Sequence, residues 1–248
     1  ANAIGLFYTL GLPEDTKAVT ENRIGKQVFL EQINQIEDER TKMFWYEFNR
    51  FEEGIYAFAF DAGDRLQHIF WEDKVLTGNK SELRISKEIE DYYRKKDSFL
   101  GELLGKLDDK TSLIIFSDHG FNSFERAVSI NTWLVENEYM TLTKKLDAKD
   151  TGSLFKYVDW DKTKAYSLGF ASIYINLKGR EGNGIVSDEE KDKLIGEIIE
   201  KLSKMNDPKT GEKVVASLYK GDEIYKGKYA KDGPDIVIGF ELGYRMSW

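Results

Sequence analysis

The fold that the sequence predicts is decided by two apolar runs, Ile55-Tyr-Ala-Phe-Ala-Phe60 and Ser112-Leu-Ile-Ile-Phe116. Each run has the length and the continuous apolar character of a strand that is buried on both faces. Between them, residues 81–107 carry apolar side chains at helical spacing and end at the turn-like Asp108-Asp-Lys110. Strand, helix and strand in this order are typical of a parallel βαβ unit.

The remainder of the chain adds further elements to this unit. We predict helices over residues 21–51, 130–136 and 187–205, and a capping box of Ser187 and Glu190 opens the last of them. Further strands are predicted over residues 139–143, 164–168, 172–177, 213–219 and 235–240. The sequence therefore predicts an α/β fold with a mostly parallel sheet flanked by helices. We expect one domain over residues 1–248, with a smaller cap-like or irregular subregion within residues 125–235.

Composition excludes several classes of function. The 248 residues contain 44 Asp and Glu against 36 Lys and Arg, and this acidic balance argues against a nucleic-acid-binding surface. The sequence contains no cysteine, which excludes disulfides, thiolate zinc sites, iron–sulfur clusters and a cysteine nucleophile. No apolar stretch reaches the roughly 18 residues of a membrane span, and the N-terminus lacks the basic region of a signal peptide. We expect a soluble protein, whose compartment and oligomeric state stay open.

The positions of the two histidines are informative. His68 follows the first apolar run, and His119 directly follows the second. Ligands of α/β sheets bind in the crevice outside the carboxyl ends of the strands, so both histidines fall where a site is expected. Each histidine also has an aspartate near it, Asp64 four residues before His68 and Asp118 next to His119.

These two pairs have the spacing of metal ligands. Residues 64 and 68 share one face of a helix, and a turn at Gly120 allows Asp118 and His119 to converge. Either pair alone is equally consistent with a capping or loop role, but two pairs at consecutive strand ends favour two metal sites side by side. Carboxylate and imidazole ligands suit zinc, manganese or iron better than calcium or magnesium. Asp61 is an alternative to Asp64, since it lies closer to the strand end.

The same residues carry a family resemblance. The stretches Phe60-Asp-Ala-Gly-Asp64-Arg-Leu-Gln-His68-Ile-Phe-Trp71 and Ser117-Asp-His-Gly-Phe121 resemble motifs of the type I phosphodiesterase / nucleotide pyrophosphatase family, within the alkaline phosphatase superfamily. Weaker similarities lie in residues 131–134, 174–180 and 233–239, so the resemblance covers nearly the whole chain. It implies an alkaline-phosphatase-like fold and metal-dependent hydrolysis of a small phosphorylated substrate.

The resemblance also implies roles for the site residues. Asp64 and His68 would hold one divalent ion, Asp118 and His119 the other, and zinc is the expected metal, with manganese or iron as alternatives. A Thr or Ser nucleophile would form a covalent phospho-enzyme intermediate. Other superfamily phosphatases, phosphomutases or sulfatases, and a non-catalytic domain that keeps the fold, remain alternative functions.

The chain departs from the family pattern at both ends. Family members have an Asp ligand and the nucleophile well before the Asp-x-x-x-His motif, and a final His ligand after the segment that matches residues 243–248. This sequence has no third histidine. We therefore expect a fragment, with the nucleophile upstream of residue 1 and the last His ligand also outside the chain, and we expect the fragment itself to be inactive.

Four other features support weaker expectations. Phe70 and Trp71 form either a buried aromatic pair or a wall that faces the substrate. Arg180, in a glycine-rich loop, either contacts a phosphate or lies in a surface turn. Residues 94–96 read Arg-Lys-Lys, which indicates a solvated helix face. Asn131 is expected to cap the short helix that follows it.

Overall fold

The computed structural model describes residues 4–7, 14–71, 75–77, 80–82, 85–146, 153–169 and 171–247. The chain divides into two compact units, Ala1–Ser123 and Phe124–Trp248. One domain over residues 1–248 stays a prediction. Among the described residues, no helix is both long enough and apolar enough to cross a membrane.

The first unit is mainly helical. Its elements are α1 (Thr16–Thr20), α2 (Lys26–Phe48), α3 (Ala62–Phe70), β1 (Val75–Thr77), β2 (Lys80–Glu82) and α4 (Lys87–Leu104), and β1 and β2 form an antiparallel hairpin. The structure confirms the two predicted long helices as α2 and α4, each shorter than the periodicity indicates. Helix α4 begins late because Ser86 caps it, its hydroxyl accepting a hydrogen bond of 3.4 Å from the backbone N–H of Ile89.

The packing of α3 determines which of its side chains are available for chemistry. The core of this unit is formed by residues of three helices, namely Phe29, Ile33, Ala62, Leu66, Phe70 and Ile89. The three α3 members, Ala62, Leu66 and Phe70, are spaced four residues apart and form a buried stripe. Asp64 and His68 are offset from this stripe by two residues, about 200° around the helix axis, and so lie on the opposite face.

The two apolar runs that predict the βαβ unit are not strands. Residues 55–60 and 112–116 form no β-ladder with any described residue. Ile55 is 94% exposed, and Ile114 and Phe116 are 79% and 87% exposed. A strand forms only where a neighbour satisfies its backbone N–H and C=O groups, and composition does not supply that neighbour. The prediction of a parallel βαβ unit over residues 55–116 is therefore wrong.

The second unit contains most of the sheet structure. In chain order its elements are β3 (Phe124–Ser129), α5 (Ile130–Glu136), β4 (Ala165–Ser167), β5 (Ser172–Ile175), α6 (Asp188–Leu202), β6 (Val215–Lys220), α7 (Gly221–Ile224), β7 (Ile236–Phe240) and β8 (Gly243–Ser247). Strands β3 and β8 pair in parallel, and the other four form an antiparallel sheet in the order β4-β5-β7-β6. The α/β class is confirmed, with an additional antiparallel sheet.

Helix α6 supplies one side of the core of the second unit. Its buried side chains, Leu194, Ile195, Ile198 and Leu202, join the apolar faces of the strands in one cluster. The predicted capping box is confirmed, since the Glu190 carboxylate accepts a hydrogen bond of 3.1 Å from the backbone N–H of Ser187. The predicted strand over residues 139–143 is wrong, because this stretch contributes only a single bridge, at Leu142.

Two of the weaker expectations are also corrected. Asn131 does not cap α5; Ser129 does, and the Asn131 amide instead bonds the backbone of Ser167 at 2.8 and 3.0 Å. The side chain of Arg94 is 74% exposed as expected, but that of Lys96 is only 16% exposed. Lys96 forms an ion pair with the buried Glu37.

Candidate functional site

Helix α3 presents one half of the predicted site. Asp64 Oδ1 lies 3.4 Å from His68 Nε2, as their spacing of one helical turn predicts. The competing carboxylate, Asp61, lies at the N-cap of the same helix and forms an ion pair of 3.7 Å with Arg40. The geometry therefore brings Asp64, and not Asp61, to the histidine.

The segment after residue 116 presents the other half. His119 Nε2 lies 3.7 Å from Asp118 Oδ2 and 3.7 Å from Asp64 Oδ1. The other ring nitrogen, Nδ1, is 3.0 Å from the carbonyl oxygen of Gly120. A carbonyl oxygen can only accept, so Nδ1 carries the proton and the lone pair of a neutral imidazole lies on Nε2, towards the carboxylates.

All four predicted side chains thus lie within one region of the first unit. The carboxylate of Asp64 is the common member, since both imidazoles turn Nε2 to the same oxygen. The side chains of His68 and His119 are 59% and 53% exposed, and that of Asp118 is 87% exposed. The region is open enough for a solvated ion or a substrate to reach the nitrogens.

The donor spacing can be compared with that of a metal centre. Two ligand atoms about 2.0–2.1 Å from a tetrahedral zinc ion lie roughly 3.3–3.4 Å apart. The Asp64–His68 distance of 3.4 Å fits this value, and the two distances of 3.7 Å at His119 are slightly longer. In the part of the chain that the structure describes, no three His, Asp or Glu side chains are arranged around a common ion position. The donor types and their pairwise spacing fit a divalent metal, but a closed metal site is not formed by these residues alone.

A cation that sequence reasoning missed borders the site. Arg65 forms an ion pair with Asp64 Oδ2, and its side chain is 22% exposed. Since Oδ2 is engaged by the guanidinium, Oδ1 is the oxygen left facing the imidazoles. The signal in the sequence was Arg65 itself, directly after the candidate ligand, but adjacent helical residues do not ordinarily face each other.

Aromatic rings line the same region. Phe70 belongs to the helical core, and Trp71 packs partly buried against the same core while its ring also contacts Phe121 at a centroid distance of 5.7 Å. The Phe121 ring also contacts His68 at 5.0 Å and His119 at 5.5 Å. Phe121 belongs to the quoted Asp-His-Gly motif, yet the motif alone gives no indication that its ring touches both imidazoles.

Arg180 lies in a turn, as one of the two expectations for it states, but its side chain has a structural role. The guanidinium lies in the second unit and bonds Asp235 at 2.6 and 3.2 Å, and Glu181 at 2.7 Å. Its side chain is only 14% exposed, so the guanidinium is turned away from solvent and bound by carboxylates of the protein itself. Asp235 lies 55 residues further along the chain, and sequence spacing could not reveal this partner.

A comparison with known families identifies the chain. The family model described as type I phosphodiesterase / nucleotide pyrophosphatase matches residues 15–247. The chain belongs to this family. Type I phosphodiesterases and nucleotide pyrophosphatases are hydrolases of the alkaline phosphatase superfamily, and the family is typically metal-dependent. Neither a curated protein nor a solved structure gives a significant match.

Proposed function

We propose that Asp64, His68, Asp118 and His119 are the metal ligands of a hydrolase that cleaves phosphodiester or pyrophosphate bonds. Asp64 and His68 bind one divalent ion, and Asp118 and His119 bind a second. The observation that supports a metal site in this region is the position of Asp64 Oδ1, 3.4 Å from the nitrogen of one imidazole and 3.7 Å from that of the other. The division of the four ligands between two ions is what the family resemblance implies. Membership of a typically metal-dependent hydrolase family supports the same function.

Each residue has a definable task in this proposal. The carboxylates of Asp64 and Asp118 supply the negative charge that offsets two cations, and Arg65 restrains the orientation of Asp64. The carbonyl of Gly120 keeps the proton of His119 on Nδ1, which leaves Nε2 as the ligand atom. When bound, the two ions neutralise charge on the phosphoryl group and polarise the nucleophile. Zinc is the metal we propose, with manganese or iron as alternatives, and the family resemblance implies a Thr or Ser nucleophile.

Metal binding can be tested on the 248-residue chain by calorimetric titration with Zn²⁺ and with Mn²⁺. Substituting Asp64→Asn or Asp118→Asn should weaken binding at least about tenfold, since even the loss of an outer-shell partner costs that much. Asp61→Asn is the matched control, because this carboxylate lies on the same helix end but is paired with Arg40. Absence of binding, or a loss on Asp61→Asn and not on Asp64→Asn, would contradict the ligand assignment.

The reaction class is tested by presenting the intact protein with three chromogenic esters. We expect turnover of bis(4-nitrophenyl) phosphate in the presence of zinc or manganese, and loss of most turnover on His68→Ala or Asp118→Ala that added metal does not restore. Turnover that survives exhaustive chelation contradicts the proposal. Preference for 4-nitrophenyl phosphate favours a phosphatase or phosphomutase, and preference for the sulfate ester favours a sulfatase. Metal binding without any turnover favours a non-catalytic domain.

A further inference from the structure

The helix face that carries the proposed ligands continues to Trp71. Asp64, His68 and Trp71 are spaced four and three residues apart, which places them along one face at the end of α3. The segment that packs along this face contributes His119, Phe121 and Ser123, spaced two residues apart. Phe121 and Ser123 both contact Trp71, and the Phe121 ring contacts that of His119, so these three side chains lie on the same side of the segment. Asp64, His68 and Trp71 therefore form one row of side chains, and His119, Phe121 and Ser123 form a second row that packs against it.

The contacts between the rows run in register. His119 lies opposite Asp64, with Nε2 3.7 Å from Oδ1. Phe121 contacts the rings of His68 and Trp71 at centroid distances of 5.0 and 5.7 Å. Ser123 closes the row, since its Oγ accepts a hydrogen bond of 3.0 Å from Trp71 Nε1. The central residue of the row, Phe121, also contacts His119 on its own segment, at 5.5 Å.

We propose that Phe121 is a positioning residue for both imidazoles. Its ring packs between His68 and His119 and holds them so that each directs Nε2 at Asp64. This inference rests on the metal site proposed above, and it assigns to Phe121 a role that the ligand motifs do not contain.

The physical reason is the exposure of the two histidines. The side chains of His68 and His119 are 59% and 53% exposed, so the core restrains their side-chain torsions little. The imidazole of His68 meets Phe121 at an interplanar angle of 76°, an edge-to-face geometry that is favourable for π-systems. Without the ring, both imidazoles regain rotational freedom, and metal binding must then also restrict it.

The first test measures Zn²⁺ affinity of the 248-residue chain by calorimetry. Phe121→Ala should weaken binding about tenfold, as the loss of an outer-shell partner does. Phe121→Leu, which keeps apolar volume but has no ring, should weaken Zn²⁺ binding less than Phe121→Ala does. Phe121→Tyr, which keeps the ring, should bind Zn²⁺ as tightly as the unsubstituted chain. The control is Phe51→Ala, because Phe51 is a partly exposed phenylalanine of the same unit whose ring contact is with Tyr56. Equal affinity in Phe121→Ala and the unsubstituted chain would overturn the inference.

The second test needs neither metal nor activity. The sequence has 2 histidines, so imidazole carbon-bound protons give two resolvable sets of NMR signals. In the metal-free chain both sets should show nuclear Overhauser effects to Phe121 ring protons, and both should shift in Phe121→Leu but not in Phe51→Ala. Absence of these effects overturns the inference whether or not metal binds. Their presence in a chain that binds no metal supports the positioning of the imidazoles and refutes the proposed metal site.

Discussion

Removal of the Asp235 carboxylate should destabilise the second unit strongly. The side chain is 3% exposed, and it accepts hydrogen bonds of 2.7 Å from the Ile175 backbone and 2.6 Å from Arg180, with Lys191 at 2.8 Å. Asp235→Ala leaves both cations without this partner, although Arg180 keeps Glu181. Removing one member of a buried ion pair lowers the free energy of unfolding by about 3–5 kcal/mol. Because Arg180 keeps the Glu181 carboxylate as a partner, we expect a loss near the lower value.

The assay is urea denaturation of the 248-residue chain, with hydrogen exchange over residues 165–177 as a local readout. With a slope of about 2 kcal/mol per molar urea, a loss of about 3 kcal/mol lowers the midpoint by roughly 1.5 M. The control is Glu200→Ala, which breaks an ion pair with Lys204 whose side chains are 72% and 70% exposed, and no measurable change is expected. A midpoint shift for Asp235→Ala no larger than that of the control would refute the reasoning.

The same carboxylate predicts a pH dependence. Burial opposes its ionisation, but the hydrogen bonds donated by Arg180 and Lys191 outweigh burial and hold the pKa of Asp235 below its usual value. A pKa that is lower in the folded state adds stability above the unfolded-state value of about 3.9, and this stability is lost as the pH falls through the folded-state pKa. The difference in unfolding free energy between the unsubstituted chain and Asp235→Asn should therefore narrow below about pH 4.

Two further predictions concern buried groups in each unit. Lys96→Met should lower the free energy of unfolding by about 3–5 kcal/mol, because it leaves the buried Glu37 without its cation. In the same urea titration, the double variant Lys96→Met/Glu37→Leu should recover most of this loss. Gly184→Ala should lower the free energy of unfolding by about 1–3 kcal/mol, since the added Cβ would lie 2.1 Å from the Leu177 carbonyl oxygen. Gly182→Ala is the control: no atom lies within 4 Å of its added Cβ, and the melting temperature should not change.

Sequence reasoning located correctly the elements that are specified by residues close to them in the sequence. Helix α5 matches its prediction in full, and α6 begins at the predicted capping box. Strands β4, β5 and β7 also lie within their predicted ranges. Hydrophobic periodicity and helix caps depend on residues only a few positions apart. The packing of the second unit is compatible with the helices and strands that they predict.

The failures concern interactions that depend on a partner distant in sequence. In residues 55–60, the apolar run indicates a buried strand, yet its alternate side chains Tyr56, Phe58 and Phe60 pack their rings on Phe44 of α2 instead of entering a sheet. The same limit explains Arg180, whose carboxylate partner is 55 residues away. Residue type predicts that such a group needs a partner but does not identify the partner.

The candidate site lies between these two cases. The Asp64–His68 pair follows from helical spacing, and Asp118 and His119 are adjacent in the sequence, so each half was predictable from local sequence. Their meeting was inferred from two parallel strands that the structure does not contain. What brings the halves together in the first unit is the row of contacts from α3 to the segment ending at Ser123, anchored by the Trp71 hydrogen bond. Because this row does not require a β-ladder, both imidazoles lie near the Asp64 carboxylate although the predicted βαβ unit is wrong.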